Sequence, residues 1–269
     1  MSEPINPRTS EPIFNRILDE IGRCVAPIWA SESRTAPPPT VSRNGTCGFV
    51  DTGERRFILT AHHVLEDFRR MRAIRPAAVL AVNLGPGCTV ALSAPEIIDE
   101  HEDLDVAIIA FPDLELHASH NKRYFPIRIW PIATVVRGQA IAVSGFPGAL
   151  RITTPLFGSF EPMGFGMCVS SASDQSIVLA DENGTLRTMG PNGETQERVR
   201  LGGFSGSPAF LVHPSGPQIV GVFRAGPRGN ESDTGTVVFL SPTKYLRRDG
   251  TLDRGLMPIF SPRRSDIEN

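Results

Sequence analysis

Three short segments carry the residue types that acyl transfer requires. Leu59-Thr60-Ala61-His62-His63-Val64 closes one apolar run, and Asp103-Leu104-Asp105-Val106-Ala107-Ile108-Ile109 leads acids into a second. Gly202-Gly203-Phe204-Ser205-Gly206-Ser207-Pro208 sets a serine among glycines before a third. A serine hydroxyl is a weak nucleophile until a base within hydrogen-bond reach takes its proton. Histidine suits that task because its pKa lies near neutral pH, and a buried carboxylate fixes its tautomer and steadies the imidazolium. Glycines beside the serine let backbone N–H groups converge on a developing oxyanion with no side chain in the way. Each segment alone is a weak signal; the order histidine, acid, serine makes them a set. Forty-two residues separate His63 from Asp105 and a hundred separate Asp105 from Ser205. Such gaps suit two successive barrels with a site in the cleft between them.

The surrounding pattern supplies elements to hold these segments. From Thr46 onward the chain reads as short β-like runs: CGFVD, RFILTA, AAVLAV, CTVALS, VAIIAF, AIAVSGF, SIVLA, SPAFLV, QIVGVF and TVVFL. Gly, Pro, Asn and Asp clusters such as Gly85-Pro86-Gly87, Asn183-Gly184 and Asn192-Gly193 punctuate them. Many short strands with few helices point to an all-β fold of barrels or a sandwich. Ahead of them, Ile13, Phe14, Ile17, Leu18 and Ile21 recur at helical spacing, with Ser10 placed to cap. This amphipathic helix is expected to pack on the body of the same chain. A polar, proline-rich stretch from Ser31 to Asn44 then reads as a semi-rigid linker. Near the end, Ser241-Pro242 followed by TKYLRRDG predicts a C-terminal helix, with Pro at its first position and Gly250 past its last. The long polar region from Ser170 to Gly202 reads as a hairpin or loop beside the serine.

Composition excludes several classes. Twenty-five Gly and 24 Pro among 269 residues are more than a helix bundle tolerates. Twenty-seven Lys and Arg against 29 Asp and Glu give a charge of −2, which offers no electrostatic case for nucleic acid or an anionic membrane. The first residues, MSEPINPRTSEP, lack the basic start and apolar run of a secretory signal, so a cytoplasmic location is expected. Cys24, Cys47, Cys88 and Cys168 are scattered without CxxC spacing, and the six histidines form no HExxH pattern. No metal or other cofactor is therefore expected. The α/β-hydrolase arrangement requires the order Ser, Asp, His, which is the reverse of this one.

With these motifs in register, the sequence resembles the trypsin/chymotrypsin-like serine protease family. It is most similar to the disulfide-free bacterial members, including PDZ-bearing stress proteases and glutamyl endopeptidases. Thr60-Ala61-His62-His63-Val64 matches the family's TAxH segment, Asp105-Val106-Ala107 its DxA segment, and Gly203-Phe204-Ser205-Gly206-Ser207-Pro208 its GxSGxP segment. Gly145-Phe146-Pro147-Gly148 matches a glycine–aromatic–proline turn of the second barrel. The resemblance implies two packed six-stranded antiparallel β-barrels. The first, residues 45–125, would carry His63 and Asp105, and the second, 126–245, Ser205. The helix and linker would occupy 1–44, and the end of the C-terminal helix with the tail 246–269. It further implies His63 as general base, Asp105 as its orienter, Ser205 as nucleophile, and the backbone N–H groups of Gly203 and Ser205 as the oxyanion hole. His62 is then a bystander, and Asp103 the less favoured acid.

Two departures bear on function. Phe204 stands where relatives activated by cleavage carry an aspartate that pairs with the new N-terminal amine, so activation of that type is not expected. Gly221-Val222-Phe223-Arg224-Ala225-Gly226 aligns with the strand that binds substrate backbone and walls the primary specificity pocket. Arg224 either faces solvent or, with Arg228, favours an acidic side chain at the cleaved residue. The expected activity is cleavage of protein or peptide substrates by a serine endopeptidase, acting alone or switched on by a protein partner in a stress or defence pathway. The competing reading is a pseudoprotease, a barrel pair that binds peptide without cutting it.

Overall fold

A computed structural model describes residues 11–32, 44–112, 116, 121–153, 158–181, 187–189, 201–225 and 237–260. The first sheet contains β1 (Val25–Ser31), β2 (Asn44–Asp51), β3 (Arg56–Thr60), β4 (Val79–Gly85), β5 (Cys88–Leu92), β6 (Ile97–His101), β7 (Val106–Ala110) and β8 (Phe125–Pro126). Its strands run in the order β5-β4-β1-β2-β3-β7-β6, and β8 pairs in parallel with the end of β2. The second sheet contains β9 (Ala140–Gly145), β12 (Met163–Ala172), β13 (Ile177–Ala180), β14 (Arg187–Met189), β15 (Pro208–Leu211), β16 (Gln218–Ala225) and β17 (Val237–Pro242). Between β9 and β12, the small hairpin of β10 (Arg151–Thr153) and β11 (Gly158–Phe160) stands apart. The second sheet runs β13-β17-β16-β15-β9-β12-β14, and a further pairing of β12 with β13 closes six of these strands into a barrel. The fold is the expected chymotrypsin-like one, with the difference that the first barrel is an eight-stranded sheet left open by its pairings, since β5 and β6 at its edges do not pair with each other; all ten β-like runs lie on strands.

Strand alternation sorts the side chains into three cores. Ile28, Phe49, Ile58 and Ile109 fill the first barrel, and Ile141, Val143, Phe165, Met167 and Leu240 fill the second. A third cluster, including Phe57, Leu59, Val106, Phe125, Phe210 and Val222, joins residues of both sheets and so lies between the barrels. Helix α1 (Glu11–Gly22) adds Phe14, Leu18 and Ile21 to it. The helix lies on β9 and β12, where Gly166 and Gly164 make room for it. A Cβ on Gly166 would sit 2.0 Å from the Phe14 ring, and one on Gly164 would sit 2.8 Å from Leu18.

The second helix differs from the expected one. It is α2 (His62–Ile74), which buries Val64, Leu65 and Phe68 behind the histidine motif. The C-terminal helix expected after Pro242 does not form. The chain turns there, Leu246 bridges Leu252, and Tyr245, Leu246 and Leu252 sink into the core between the barrels. So short a helix is marginal in water, and burying three large apolar side chains outweighs it. Within 170–202, β13 folds back antiparallel on the end of β12 as a hairpin and β14 pairs further along β12; Asn183-Gly184 and Asn192-Gly193 fall outside the described residues. Among the described residues no helix is long and apolar enough to cross a membrane.

Candidate active site

His63 is the second residue of α2, and the helix start is what fixes its place. The residue before the helix, Ala61, offers no side-chain cap. Asp105 supplies one from the turn before β7: Oδ1 accepts the backbone N–H of His63 at 2.9 Å. Its other oxygen, Oδ2, lies 2.7 Å from His63 Nδ1. One carboxylate therefore caps the helix and grips the imidazole. Asp105 has φ 53, a left-handed conformation that Asp adopts more readily than most residues. Its neighbour Leu104 is tied across the barrels, its carbonyl accepting from Ser241 Oγ. Burial alone would raise the Asp105 carboxyl. The hydrogen bonds and charge of His63, with the charge of Arg224, outweigh it and hold the group below the usual carboxylate range. The imidazole itself stays half exposed, with 46% of its side chain open to solvent.

The serine segment meets the histidine segment through glycines. Thr46 N–H donates to Ser205 O at 2.8 Å. A Cβ on Gly45 would press 2.6 Å from Val64 Cγ2 and 2.9 Å from Ser205 O, so the residue after His63 and the Ser205 backbone converge on one bare strand position. Gly206 has φ +90, and its Cβ would lie 2.3 Å from both Thr46 O and Thr60 Oγ1 and 2.7 Å from Ala61 N. The glycine after Ser205 thus lets the loop lie flat against the strand end that leads to His63.

The turn Gly145-Phe146-Pro147-Gly148 borders Gly203 from the other side. Gly148 N–H donates to Gly202 O at 2.7 Å, and Gly203 has φ +101, where a Cβ would strike Phe146 O at 2.5 Å. Phe204 is fully buried. Its ring packs against Phe165 at 5.2 Å and Phe223 at 5.7 Å between centroids, inside the second barrel. An apolar anchor therefore stands where cleavage-activated relatives use an ion pair.

Arg224 lies at a register shift between Phe223 and Ala225 of β16, and its charge acts on Asp105. Gly226 and Arg228 fall outside the described residues. His62 turns to other partners, its Nε2 lying 3.5 Å from Glu100 and 4.0 Å from Glu66, both of which pair with Arg69. The sequence reading missed Asn44 and Thr46, whose side chains reach the serine loop from β2. Two polar residues opening a buried strand that continues as Cys47-Gly48-Phe49-Val50 were the available signal. All four cysteines are free, and burial pushes the thiols of Cys24 and Cys47 up to about 11 and about 12. Among the described residues no group of three or more His, Cys, Asp or Glu side chains is placed to hold a metal ion.

Comparison with known proteins adds a family. The model of the trypsin-like peptidase domain matches residues 45–222. None of the curated proteins matches the chain. Among solved structures, a thermostable serine protease AL20 from an extremophilic microorganism aligns at 12% identity and TM-score 0.47, over 83% of this chain and 92% of that one. The HtrA-type protease AlgW with tripeptide aligns at 15% and 0.48, over 86% of this chain and 60% of that one. Deg5 aligns at 14% and 0.46, over 90% and 91%.

Proposed function

The chain belongs to the trypsin-like peptidase family and is a trypsin-like serine endopeptidase, and from that premise we propose that it cleaves protein substrates through Ser205, His63 and Asp105. The observation that carries this reading is the double hold of Asp105 on His63. With Nδ1 committed to the carboxylate, Nε2 is the ring nitrogen left to take a proton. In the proposed cycle Ser205 Oγ attacks the scissile carbonyl as its proton passes to His63 Nε2. The C–N bond then breaks, the leaving amine takes that proton, and an acyl-serine remains. Water, deprotonated by the same nitrogen, releases the acid and restores the serine. Charge on the tetrahedral oxygen is met by the N–H groups of Gly203 and Ser205. Asp105 stabilises the imidazolium without itself taking a proton.

Arg224, with Ala225 and Gly226, is proposed to line the substrate groove, where its charge favours an acidic side chain at the cleaved residue. The handle for control is the Gly202–Ser205 loop, and a partner that reshapes it would gate activity. A fluorophosphonate probe tests the whole reading. Purified protein is expected to be labelled at Ser205, located by mass spectrometry, and the Ser205→Ala variant to stay unlabelled. A folded wild-type protein that takes no label, alone or with cell extract, would overturn the assignment of Ser205 as nucleophile.

A further inference from the structure

Asn44 and Thr46 sit two residues apart on β2, so their side chains share one face of the strand. Both are buried, and both reach out of the first barrel to the second. Asn44 Nδ2 donates to Phe146 O at 2.9 Å, and Phe146 N–H donates to Thr46 Oγ1 at 3.1 Å. The two side chains thus hold both backbone polar groups of Phe146, as a neighbouring strand would. Thr46 Oγ1 then gives its single proton to Gly203 O at 2.8 Å. Its hydroxyl is used in both directions, and its backbone N–H holds Ser205 O.

The consequence lies in peptide planes. In a trans peptide the carbonyl and the following N–H point opposite ways within one rigid plane. The carbonyl of Gly202 is fixed by Gly148 N–H, two residues beyond Phe146. That bond decides where the Gly203 N–H is aimed. The carbonyl of Gly203 is fixed by Thr46 itself. Both peptide planes flanking Gly203 are therefore set from β2, one directly and one through the turn that Asn44 and Thr46 hold. Gly203 has no side chain to resist a flip, so this external hold is what selects one orientation.

We infer that Asn44 and Thr46 are positioning residues for the oxyanion hole, acting from the first barrel on the Gly203 N–H. The inference rests on the proposed serine-protease mechanism. Both side chains are taken up by the backbone of Phe146 and Gly203, so their removal is expected to act on the transition state and to leave ground-state binding alone.

The test replaces Thr46 by Val, which keeps shape and removes the hydroxyl, and by Ser, which keeps it. With a chromogenic peptide substrate, Thr46→Val is expected to lower kcat about 10- to 100-fold, the scale of a catalytic group misplaced by about 1 Å. KM is expected to stay within about twofold, and Thr46→Ser to recover kcat to within about threefold, because binding of the ground state is untouched. A trifluoromethyl ketone peptide, whose adduct carries an oxyanion, is expected to lose affinity in Thr46→Val in proportion to kcat. If Thr46→Val does not fold, Asn44→Ala decides, with the same fall in kcat at constant KM expected. Unchanged kcat in the folded variant, a change confined to KM, or failure of Ser to rescue overturns the inference. Absence of fluorophosphonate label on wild-type Ser205 overturns instead the mechanism beneath it.

Discussion

Asp105 and His63 meet at two points at once, the carboxylate taking the backbone N–H with one oxygen and facing Nδ1 with the other. The helix start and the ring orientation are thereby one interaction. Asp105→Asn separates the two roles. Its amide oxygen still accepts the helix N–H, but its NH₂ group faces Nδ1 and favours the wrong tautomer. Peptide hydrolysis is expected to fall by about 10⁴-fold, with little change in thermal midpoint. Asp105→Ala should show the same loss of turnover and in addition lose about 1 kcal/mol for the missing cap. Equal thermal midpoints for the two variants would show that the cap contributes nothing.

Gly206 is irreplaceable for reasons separate from chemistry. Its φ of +90 disfavours any side chain, and the space a methyl would need holds Thr46 O, Thr60 Oγ1 and Ala61 N. These atoms are backbone or a bonded hydroxyl, so they have little room to move. Gly206→Ala is expected to cost about 3 kcal/mol or more, read as a lower urea midpoint. A variant as stable as wild type would mean that the two barrels slide apart at no cost.

Lys122 gives the fold a signature in alkali. Its Nζ donates to Gly22 O at the end of α1 at 3.2 Å and to Val25 O at 2.6 Å, and it lies 5.2 Å from the centre of the Phe146 ring. Burial lowers the ammonium to about 8, partly offset by Cys47 and Cys24. An unfolded lysine holds its proton up to about pH 10.4. Between these values the unfolded chain binds the extra proton, so stability contributed by this group rises with pH through that window. Below it both states are protonated and the penalty is constant. Denaturant titrations at pH 7, 9 and 10 are expected to show wild type gaining on Lys122→Met as pH rises. A constant difference would place the lysine in water.

Legibility followed the kind of force at work. The ten apolar runs named from sequence are strands because their alternation or continuity is itself the burial pattern. β12 is not among those runs: Gly164 and Gly166 interrupt its apolar pattern, and the space they leave takes Leu18 and Phe14. Sequence holds no local trace of that long-range fit. β1 was hidden by Pro27 and by the helix running directly into it. Pro242 and Gly250 have the spacing of helix punctuation, yet Gly250 serves a turn at φ +84 and Tyr245 is drawn into the core. In the site, His63, Asp105 and Ser205 stood out by residue type and order. Asn44 and Thr46 did not, because their importance lies in which backbone groups they meet more than a hundred residues away.

The burial of Phe204 among Phe165 and Phe223 decides how the serine loop answers to its medium. A loop anchored by an ion pair loosens as ionic strength rises, because salt screens the attraction. A loop anchored by an aromatic ring is held by exclusion of water, which sulfate strengthens and cooling weakens. The support under Ser205 therefore survives concentrated salt, grows firmer with salting-out anions, and slackens in the cold.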